Sequence, residues 1–458
     1  MRFACPALLL ALLPLAGCGT HAPDRMLSVA TGFVSHEMCG AAFIAGLEPT
    51  AYWREAAPPA LRAVEWAMTH EVDHARGLVR SRLAGLGERV ALHRGAAGCL
   101  VLNGPAPPAP AALPPLPAPL LADIAPSDSP VPGSAALAAA LDQAFAEPDP
   151  EAPRQTRAVV VLHRGQVVAE RYAPGYGVRT RLHGWSMTKS VTNALLGVLA
   201  RQGRVAMQAP LPQPAWAKDG RAAITPDHLL RMTSGLTFGN SLGAGIGDLV
   251  NPATQMLFSD VDMAADAIEA PLGAPPGTQW EYSNGSTQIL SRLVRDLAGG
   301  DEASALRFAR AELFGPLGMA SAVLETDASG APVGAAHMWA TARDWARFGQ
   351  LYVQDGVVGG RRLLPEGWVA YSGAPTEGAR VGYGAGFWTN QSDSELARRR
   401  VEQGMPREAF MARGAFGQFV VVVPSRQLVV VRLGHTFSPR AATTNMVRLV
   451  VQALAAVE

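Results

Sequence analysis

Ser186-Met187-Thr188-Lys189 places a lysine three residues after a serine, at the start of a segment whose apolar residues have helical spacing. The chain has only two lysines, Lys189 and Lys218, and the other 37 of its 39 basic residues are arginine. Arginine stays protonated in proteins, whereas a desolvated lysine can lose its proton and act as a base. On a helix, Lys189 lies one turn above Ser186 on the same face. The pair therefore predicts a serine nucleophile that is tuned by an amine.

A second motif, Tyr282-Ser283-Asn284, follows the first at a separation of 96 residues. A tyrosine beside an ammonium group has a lowered pKa and can take a proton from a serine hydroxyl. The asparagine can hydrogen-bond to the lysine or to a substrate amide. Taken alone, the motif is also typical of an ordinary turn. Together with Ser186 and Lys189, it predicts that Tyr282 is catalytic and that Asn284 binds the lysine or the substrate.

The segments around these motifs predict the fold class. Strands near both ends of 134–458 are β-branched and apolar, whereas the middle is largely helical. We therefore predict an α+β domain in which N- and C-terminal strands meet in one antiparallel sheet, flanked by helices and joined to a mainly helical subdomain. The expected elements are helices over 135–146, 189–200 and 443–455 and hairpins over 158–172 and 419–432.

Residues 1–18 have the composition of a signal peptide. Arg2 is followed by an apolar run from Leu8 to Leu15 that is too short to span a membrane. The run ends in Leu15-Ala16-Gly17-Cys18, which resembles a bacterial lipobox, where the cysteine is lipidated after cleavage. A plain secretory signal is the alternative. We predict an exported protein on the periplasmic face of an envelope membrane, anchored only by a lipid at Cys18.

Two cysteines of the mature chain define a small N-terminal unit over 19–103. Cys39 and Cys99 form an even pair in an oxidising compartment, which predicts a disulfide. Short strands are expected at 41–45 and 90–93, next to these cysteines. Residues 104–133 are rich in proline and alanine and are expected to form an extended linker between this unit and the α+β domain.

One short motif imitates a zinc site. His70-Glu71-Val72-Asp73-His74 fits the His-Glu-x-x-His pattern, which on a helix places two histidines on one face. Asp73 adds a charge at a position where such helices usually carry uncharged residues, and no third ligand follows at the expected spacing. We therefore interpret it as a solvated polar segment and predict no metal site.

The composition favours a globular protein that acts on small molecules. The chain has 458 residues and a net charge of +1, and its arginines are spread along the sequence. The run Arg398-Arg399-Arg400 is typical of a solvated loop, so no nucleic-acid partner is expected.

The two motifs and their neighbours resemble those of a known family over residues 135–458. That family comprises the serine β-lactamases and penicillin-recognising hydrolases, here on the side of class C β-lactamases, D-alanyl-D-alanine carboxypeptidases and esterases. The resemblance implies a β-lactamase-like fold, serine hydrolase activity and no metal or organic cofactor. Besides the two motifs, the matching segments are 225–236, 342–349 and 364–368.

The family's third motif lies on a sheet strand as Lys-Thr-Gly or His-x-Gly, and the matching stretch here is 412–418, Ala-Arg-Gly-Ala-Phe-Gly-Gln. Ala412 therefore stands where the family has a cation or an imidazole that helps to bind a substrate carboxylate, which a methyl group cannot do. Strand alternation is expected to aim Arg413 at the opposite face. The Gly-x-x-Gly-Gln form resembles the 6-aminohexanoate-dimer hydrolases and related esterases. The same resemblance implies that the backbone amides of Ser186 and Ala415 form an oxyanion hole.

The resemblance implies a two-step acyl transfer on a small ester or amide. Ser186 attacks the carbonyl after Tyr282, held ionised by Lys189, removes its proton, and water then hydrolyses the acyl-enzyme. A D-alanyl-D-alanine carboxypeptidase or a β-lactamase is the alternative enzyme, disfavoured by Ala412. A non-catalytic lipoprotein that binds cell-wall peptides is the alternative from another class, disfavoured by the intact serine, lysine and tyrosine.

Overall fold

A computed structural model describes residues 22–238 and 251–457. The segments expected to be the signal peptide and the lipidation site, including Cys18, lie outside the described residues. The strands are Met68–Asp73 (β1), Leu78–Leu83 (β2), Leu86–His93 (β3), Cys99–Val101 (β4), Thr156–His163 (β5), Gln166–Tyr172 (β6), Arg181–His183 (β7), Val323–Leu324 (β8), Met338–Thr341 (β9), Val357–Val358 (β10), Arg361–Arg362 (β11), Trp388–Thr389 (β12), Phe410–Gly414 (β13), Gln418–Val423 (β14) and Leu428–Gly434 (β15).

Helices occupy the rest of the regular structure. They are Ala22–Cys39 (α1), Pro49–Ala56 (α2), Pro59–Arg62 (α3), Ala135–Phe145 (α4), Thr188–Arg201 (α5), Pro226–Leu230 (α6), Pro252–Ser259 (α7), Met263–Ile268 (α8), Asn284–Ala298 (α9), Glu302–Ala309 (α10), Gly315–Leu317 (α11), Ala342–Val353 (α12), Trp368–Gly373 (α13), Glu395–Glu402 (α14) and Pro439–Val457 (α15). The predicted helices over 135–146, 189–200 and 443–455 correspond to α4, α5 and α15, the last of which begins four residues earlier than expected.

The central sheet is antiparallel, with the strand order β12-β13-β14-β15-β5-β6. Strands from both ends of the predicted domain meet where β15 pairs with β5, with Leu428 opposite His163. On one face lies α12, and on the other lie α4 and α15. Because both faces are buried, these strands read as continuous apolar runs. The predicted α+β architecture is confirmed.

The helical subdomain lies between the two sets of sheet strands in sequence. Its centre is α9, which packs against α5, α6 and α8. A small sheet with the order β7-β9-β8 joins this subdomain to the segment that carries Ser186. The serine motif therefore lies where the central sheet and the helical subdomain meet.

The N-terminal unit consists of α1 packed on the antiparallel meander β1-β2-β3-β4. The predicted disulfide is confirmed, since Cys39 and Cys99 are bonded and join the end of α1 to β4. The strand predicted over 90–93 is part of β3, but the strand predicted over 41–45 is wrong. Gly40–Ala45 instead continues α1 as a π-helix, and Gly40, which has no Cβ, lets the Trp339 ring lie against it. A short apolar run such as 41–45 has no period that separates helix from strand.

The structure also places three other segments of the N-terminal region. Residues 24–45 form a helical segment that is long and apolar enough to cross a membrane, but 78% of its apolar 18-residue window is buried inside the protein, as in a core helix. His70 lies on β1 rather than on a helix, so the His-Glu-x-x-His sequence does not present two histidines on one helical face. The linker 104–133 contains neither helix nor strand, and Ile124 within it is fully buried beside β6.

Candidate active site

Ser186 lies in a tight turn between β7 and α5. The turn is a 3-10 helix, Trp185–Met187, that runs directly into α5 at Thr188. Trp185 has φ +50°, a left-handed conformation that is unfavourable for a bulky residue. Such strain is often stored at functional sites. Its effect here is to hold the Ser186 hydroxyl at the start of the helix, facing the cleft.

Lys189 is buried directly beside the serine. Its Nζ donates to Ser186 Oγ at 3.2 Å, to Asn284 Oδ1 at 2.7 Å and to the Ala335 carbonyl oxygen at 2.7 Å. The side chain is 1% exposed, and burial lowers the pKa of Lys189 from 10.5 to about 7. Near neutral pH, the lysine is therefore available both as an ammonium and as an amine.

Tyr282 completes the arrangement from the start of α9. A hydrogen bond joins the Ser186 and Tyr282 side chains. Burial raises the pKa of Tyr282 to about 12, although this bond and the Arg413 charge oppose the rise. Lys189 Nζ lies 4.9 Å from the centre of the tyrosine ring, over its face. The raised pKa favours a neutral phenol, which differs from the expected ammonium–phenolate pair. We refer to Ser186, Lys189 and Tyr282 as the Ser-Lys-Tyr group.

The third motif lies on β13, but its side chains face the opposite way from the prediction. Ala412 is fully buried in the core between the sheet and α12, whereas Arg413 lines the cleft with Ser186 and Tyr282. The expectation that Arg413 points away from the site is therefore wrong. Register explains the result, because Arg413 lies opposite Phe419, and alternate residues of a strand share a face.

Aromatic rings hold the Arg413 guanidinium in the cleft. Its central carbon lies 4.8 Å from the centre of the Trp388 ring and 5.7 Å from that of Phe419. Within the described ranges no carboxylate forms an ion pair with it, and burial lowers its pKa while Tyr282 opposes that change. A partly desolvated cation that faces a cleft without a counterion is suited to bind an anionic group.

The cleft itself is a mainly apolar cavity of about 240 Å³. Ser186, Tyr282, Arg413 and Ala415 line it. The strand β13 approaches the serine turn so closely that a Cβ on Gly414 would lie 2.2 Å from the Gly184 carbonyl oxygen. Ala415 and Ser186, the residues expected to supply the oxyanion amides, therefore belong to two backbone segments in direct contact.

Residues 141–454 match the model of the family described as Beta-lactamase. The chain belongs to this family. The predicted resemblance and fold are thereby confirmed, and the Beta-lactamase family match places the protein among serine hydrolases that include esterases, amidases and β-lactamases.

Relatives within the Beta-lactamase family have different names. The 6-aminohexanoate-dimer hydrolase of Paenarthrobacter ureafaciens is 26% identical over 304 aligned residues, and the match covers 62% of this chain and 74% of that protein. Esterase EstB of Burkholderia gladioli is 31% identical over 209 residues, covering 41% of this chain and 51% of EstB. The structure of a penicillin-binding protein homologue from Caulobacter crescentus superposes with a TM-score of 0.56 at 18% identity, covering 71% of this chain and 98% of that one.

Two site features of this Beta-lactamase family member had no usable signal in the sequence. The first is the Ala335 carbonyl oxygen, which accepts a hydrogen bond from Lys189. It is a backbone atom, so no motif of side chains could identify it. The orientation of Arg413 depends on which face of a doubly covered sheet meets the cleft, which hydrophobic alternation does not reveal. By contrast, the structure brings together all the sequence-predicted residues, Ser186, Lys189, Tyr282, Asn284 and Ala415.

Proposed function

We propose that the protein cleaves esters or small amides through an acyl-enzyme formed on Ser186. The observation that carries this proposal is the 3.2 Å contact between Lys189 Nζ and Ser186 Oγ, made by a buried lysine whose pKa lies at about 7. A serine beside a base of this kind is the usual arrangement of an activated nucleophile. The match to the Beta-lactamase family supports the same reaction class.

In the proposed reaction, the Lys189 amine takes the proton of Ser186 while Oγ forms a bond to the substrate carbonyl carbon. The carbonyl oxygen becomes negative and accepts hydrogen bonds from the amides of Ser186 and Ala415. The carbon–leaving-group bond then breaks, and the leaving oxygen or nitrogen receives the proton from the Lys189 ammonium through the Tyr282 hydroxyl. A water molecule then attacks the acyl-enzyme in the same two steps, with Ser186 Oγ as the leaving group. Asn284 keeps Lys189 in place throughout.

Arg413 supports a second, narrower candidate. A guanidinium that meets no counterion among the described residues of the cleft favours substrates that carry a carboxylate near the scissile bond. This class includes the substrates of D-alanyl-D-alanine carboxypeptidases and β-lactamases, which the sequence alone disfavours because of Ala412. Turnover of nitrocefin compared with that of p-nitrophenyl butyrate separates the two candidates, since rapid nitrocefin hydrolysis favours the second.

We keep the proposal that the protein is exported and held at a bacterial envelope membrane by a lipid on Cys18. The buried Cys39–Cys99 disulfide supports export, because such bonds form and persist in oxidising compartments. Incorporation of labelled palmitate into wild type but not into Cys18→Ala tests the anchor.

Labelling with a fluorophosphonate tests the proposed function. This probe forms a covalent bond only with an activated serine, so wild type is expected to react and Ser186→Ala is not. Ser425→Ala, which alters an exposed serine at the far hairpin turn, provides the matched control and is expected to react like wild type. A folded wild-type protein that is neither labelled nor active on esters contradicts the proposal and favours a non-catalytic role in binding cell-wall peptides.

A further inference from the structure

A cluster of buried ionisable side chains joins the N-terminal unit to the back of the Ser-Lys-Tyr group. Every member is at most 4% exposed. No sequence motif marks these residues, and the proposed reaction does not use them. The buried His/Glu cluster consists of His36 and Glu37 on α1, His183 on β7, Glu325 after β8 and His337 before β9.

Glu37 holds the histidine that precedes the serine turn. Its Oε1 lies 2.9 Å from Nδ1 of His183, and Nε2 of His183 lies 3.1 Å from the Ala336 carbonyl oxygen. Both neighbours are acceptors, so each can hold a ring nitrogen of His183. Tyr52 Oη donates to the second oxygen of Glu37 at 2.8 Å. Burial would raise the pKa of Glu37, but His183 and His36 hold it well below its usual range.

His36 forms the second link across the same interface. Its Nε2 lies 2.8 Å from a Glu325 oxygen, and its Nδ1 lies 3.3 Å from Glu37 Oε1. Burial alone would lower the pKa of His36, but Glu325 and Glu37 raise it to about 10. Its ring stacks on that of His337 with centres 4.1 Å apart. Burial, His36, His183 and Lys189 hold the pKa of His337 well below its usual range, so a charged imidazole stacks on a neutral one.

These contacts converge on the backbone that binds the lysine. The Ala335 carbonyl oxygen accepts the 2.7 Å hydrogen bond from Lys189 Nζ. The next residue, Ala336, is bound by His183 through its carbonyl oxygen, and the one after it, His337, stacks on His36. We infer that Glu37 and His36 of the N-terminal unit are positioning residues, which fix the Ala335 carbonyl on Lys189 through His183 and His337. This inference rests on the proposed function of Lys189 and assigns a role to α1 in the reaction.

A metal site is the competing interpretation of the cluster. Ligand atoms of His36, Glu325 and His337 lie within 4.8 Å of one another. The two imidazole planes, however, are inclined by only 26° and stacked, so nitrogen lone pairs in those planes do not converge on one point. Both ring nitrogens of His36 already face carboxylates. The geometry therefore favours an ion-pair network over a metal site.

The scarcity of lysine permits a test that does not depend on activity. Protein labelled with ¹³Cε-lysine has two side-chain signals by NMR, from Lys189 and Lys218. The titration midpoint of the Lys189 signal is compared between wild type and Glu37→Gln, and kcat for p-nitrophenyl butyrate is measured on the same samples. Lys218 serves as the internal reference, and a metal assay by mass spectrometry accompanies each preparation.

The expected result is a lower Lys189 midpoint in Glu37→Gln, by about half a pH unit, because a loosened carbonyl stabilises the ammonium less. A fall in kcat of about tenfold is expected with it, since small displacements of catalytic groups are costly. Glu302→Gln is the matched control. Its carboxylate pairs with Arg94 of the N-terminal unit at 2.7 Å but touches no member of the buried His/Glu cluster, so both readings are expected to equal those of wild type.

A Lys189 midpoint and a kcat that are unchanged in folded Glu37→Gln overturn the inference, as does one metal ion bound per chain. If Glu37→Gln does not fold, Tyr52→Phe decides, because it removes only the hydroxyl that donates to Glu37. A midpoint shift in the same direction supports the inference, and an unchanged midpoint overturns it. If wild-type protein shows neither esterase activity nor probe labelling, the proposed function is refuted instead. The NMR titration would still report on the contact between Lys189 and the Ala335 carbonyl oxygen.

Discussion

The Nζ atom of Lys189 lies 3.2 Å from the Oγ atom of Ser186. Its other two partners, the Asn284 side-chain oxygen and the Ala335 carbonyl oxygen, are both acceptors. Acceptors favour the ammonium form of Lys189, whereas burial disfavours it. Burial has the larger effect, and the pKa of Lys189 therefore falls to about 7. The same nitrogen can therefore take a proton from the serine and later return it to a leaving group.

The first prediction concerns the pH dependence of kcat/KM. Only the Lys189 amine can accept a proton, so activity on p-nitrophenyl butyrate is expected to rise as pH increases through about 7, the pKa of Lys189. A pH–rate profile from pH 5 to 9 measures this, with Lys218→Arg as the control that leaves the midpoint unchanged. Activity that falls as pH increases through this range would contradict the assignment of the base to the Lys189 amine.

The second prediction separates the charge of Lys189 from its ability to titrate. Lys189→Arg keeps a cation near Ser186 but removes the base, because a guanidinium does not lose its proton. We expect kcat to fall by at least about 10³-fold, as for the loss of a catalytic base. Thermal unfolding establishes that the variant is folded. Retention of more than about a tenth of the wild-type kcat would show that the charge alone suffices.

The sequence predicted the local geometry of the site better than its long-range contacts. Ser186 and Lys189 share one helical turn, so their proximity follows from spacing alone. The sequence did not predict which face of the sheet Arg413 lies on. Both faces are apolar, so an alternation of polar and apolar residues cannot identify the face that meets the cleft. The contact between Glu37 and His183 joins residues 146 positions apart, and neither local propensity nor spacing encodes such a pair.

The third prediction tests Arg413 as a determinant of specificity. Wild type is expected to prefer mono-p-nitrophenyl glutarate, whose acyl chain ends in a carboxylate, over p-nitrophenyl butyrate. Arg413→Met should lower kcat/KM for the glutarate ester by about 10- to 100-fold, the loss of one hydrogen bond to a charged group. The butyrate ester should change by less than about threefold. Equal losses for both esters would mean that Arg413 supports the site without selecting the substrate.

The fourth prediction concerns the disulfide between Cys39 and Cys99, which closes a loop of 60 residues. Loss of this constraint is expected to cost about 4 kcal/mol in the free energy of unfolding. For a chain of this length, the melting temperature of Cys39→Ala/Cys99→Ala should fall by about 4 °C. Circular dichroism measures the change. A reductant should lower the melting temperature of wild type but not of the double variant, and an equal response of both would refute the assignment of stability to this bond.

The last prediction tests the contact between β13 and the serine turn. A Cβ on Gly414 would lie 2.2 Å from the Gly184 carbonyl oxygen, so Gly414→Ala must move the strand away from the turn. Because Ala415 follows Gly414 and Ser186 lies two residues after Gly184, the separation displaces the amides proposed to bind the oxyanion. A shift of about 1 Å at a reacting centre costs about 10²-fold in rate, and we expect a loss of that size in kcat.

The matched control for this substitution is Gly177→Ala. A Cβ at Gly177 would meet no atom of the described residues within 4 Å, so kcat should remain at the wild-type value. Gly414→Ala should remain folded, since overpacking of this kind costs about 1–3 kcal/mol. A variant with full stability and full activity would show that the strand and the turn separate freely. The oxyanion amides would then have to come from elsewhere in the cleft.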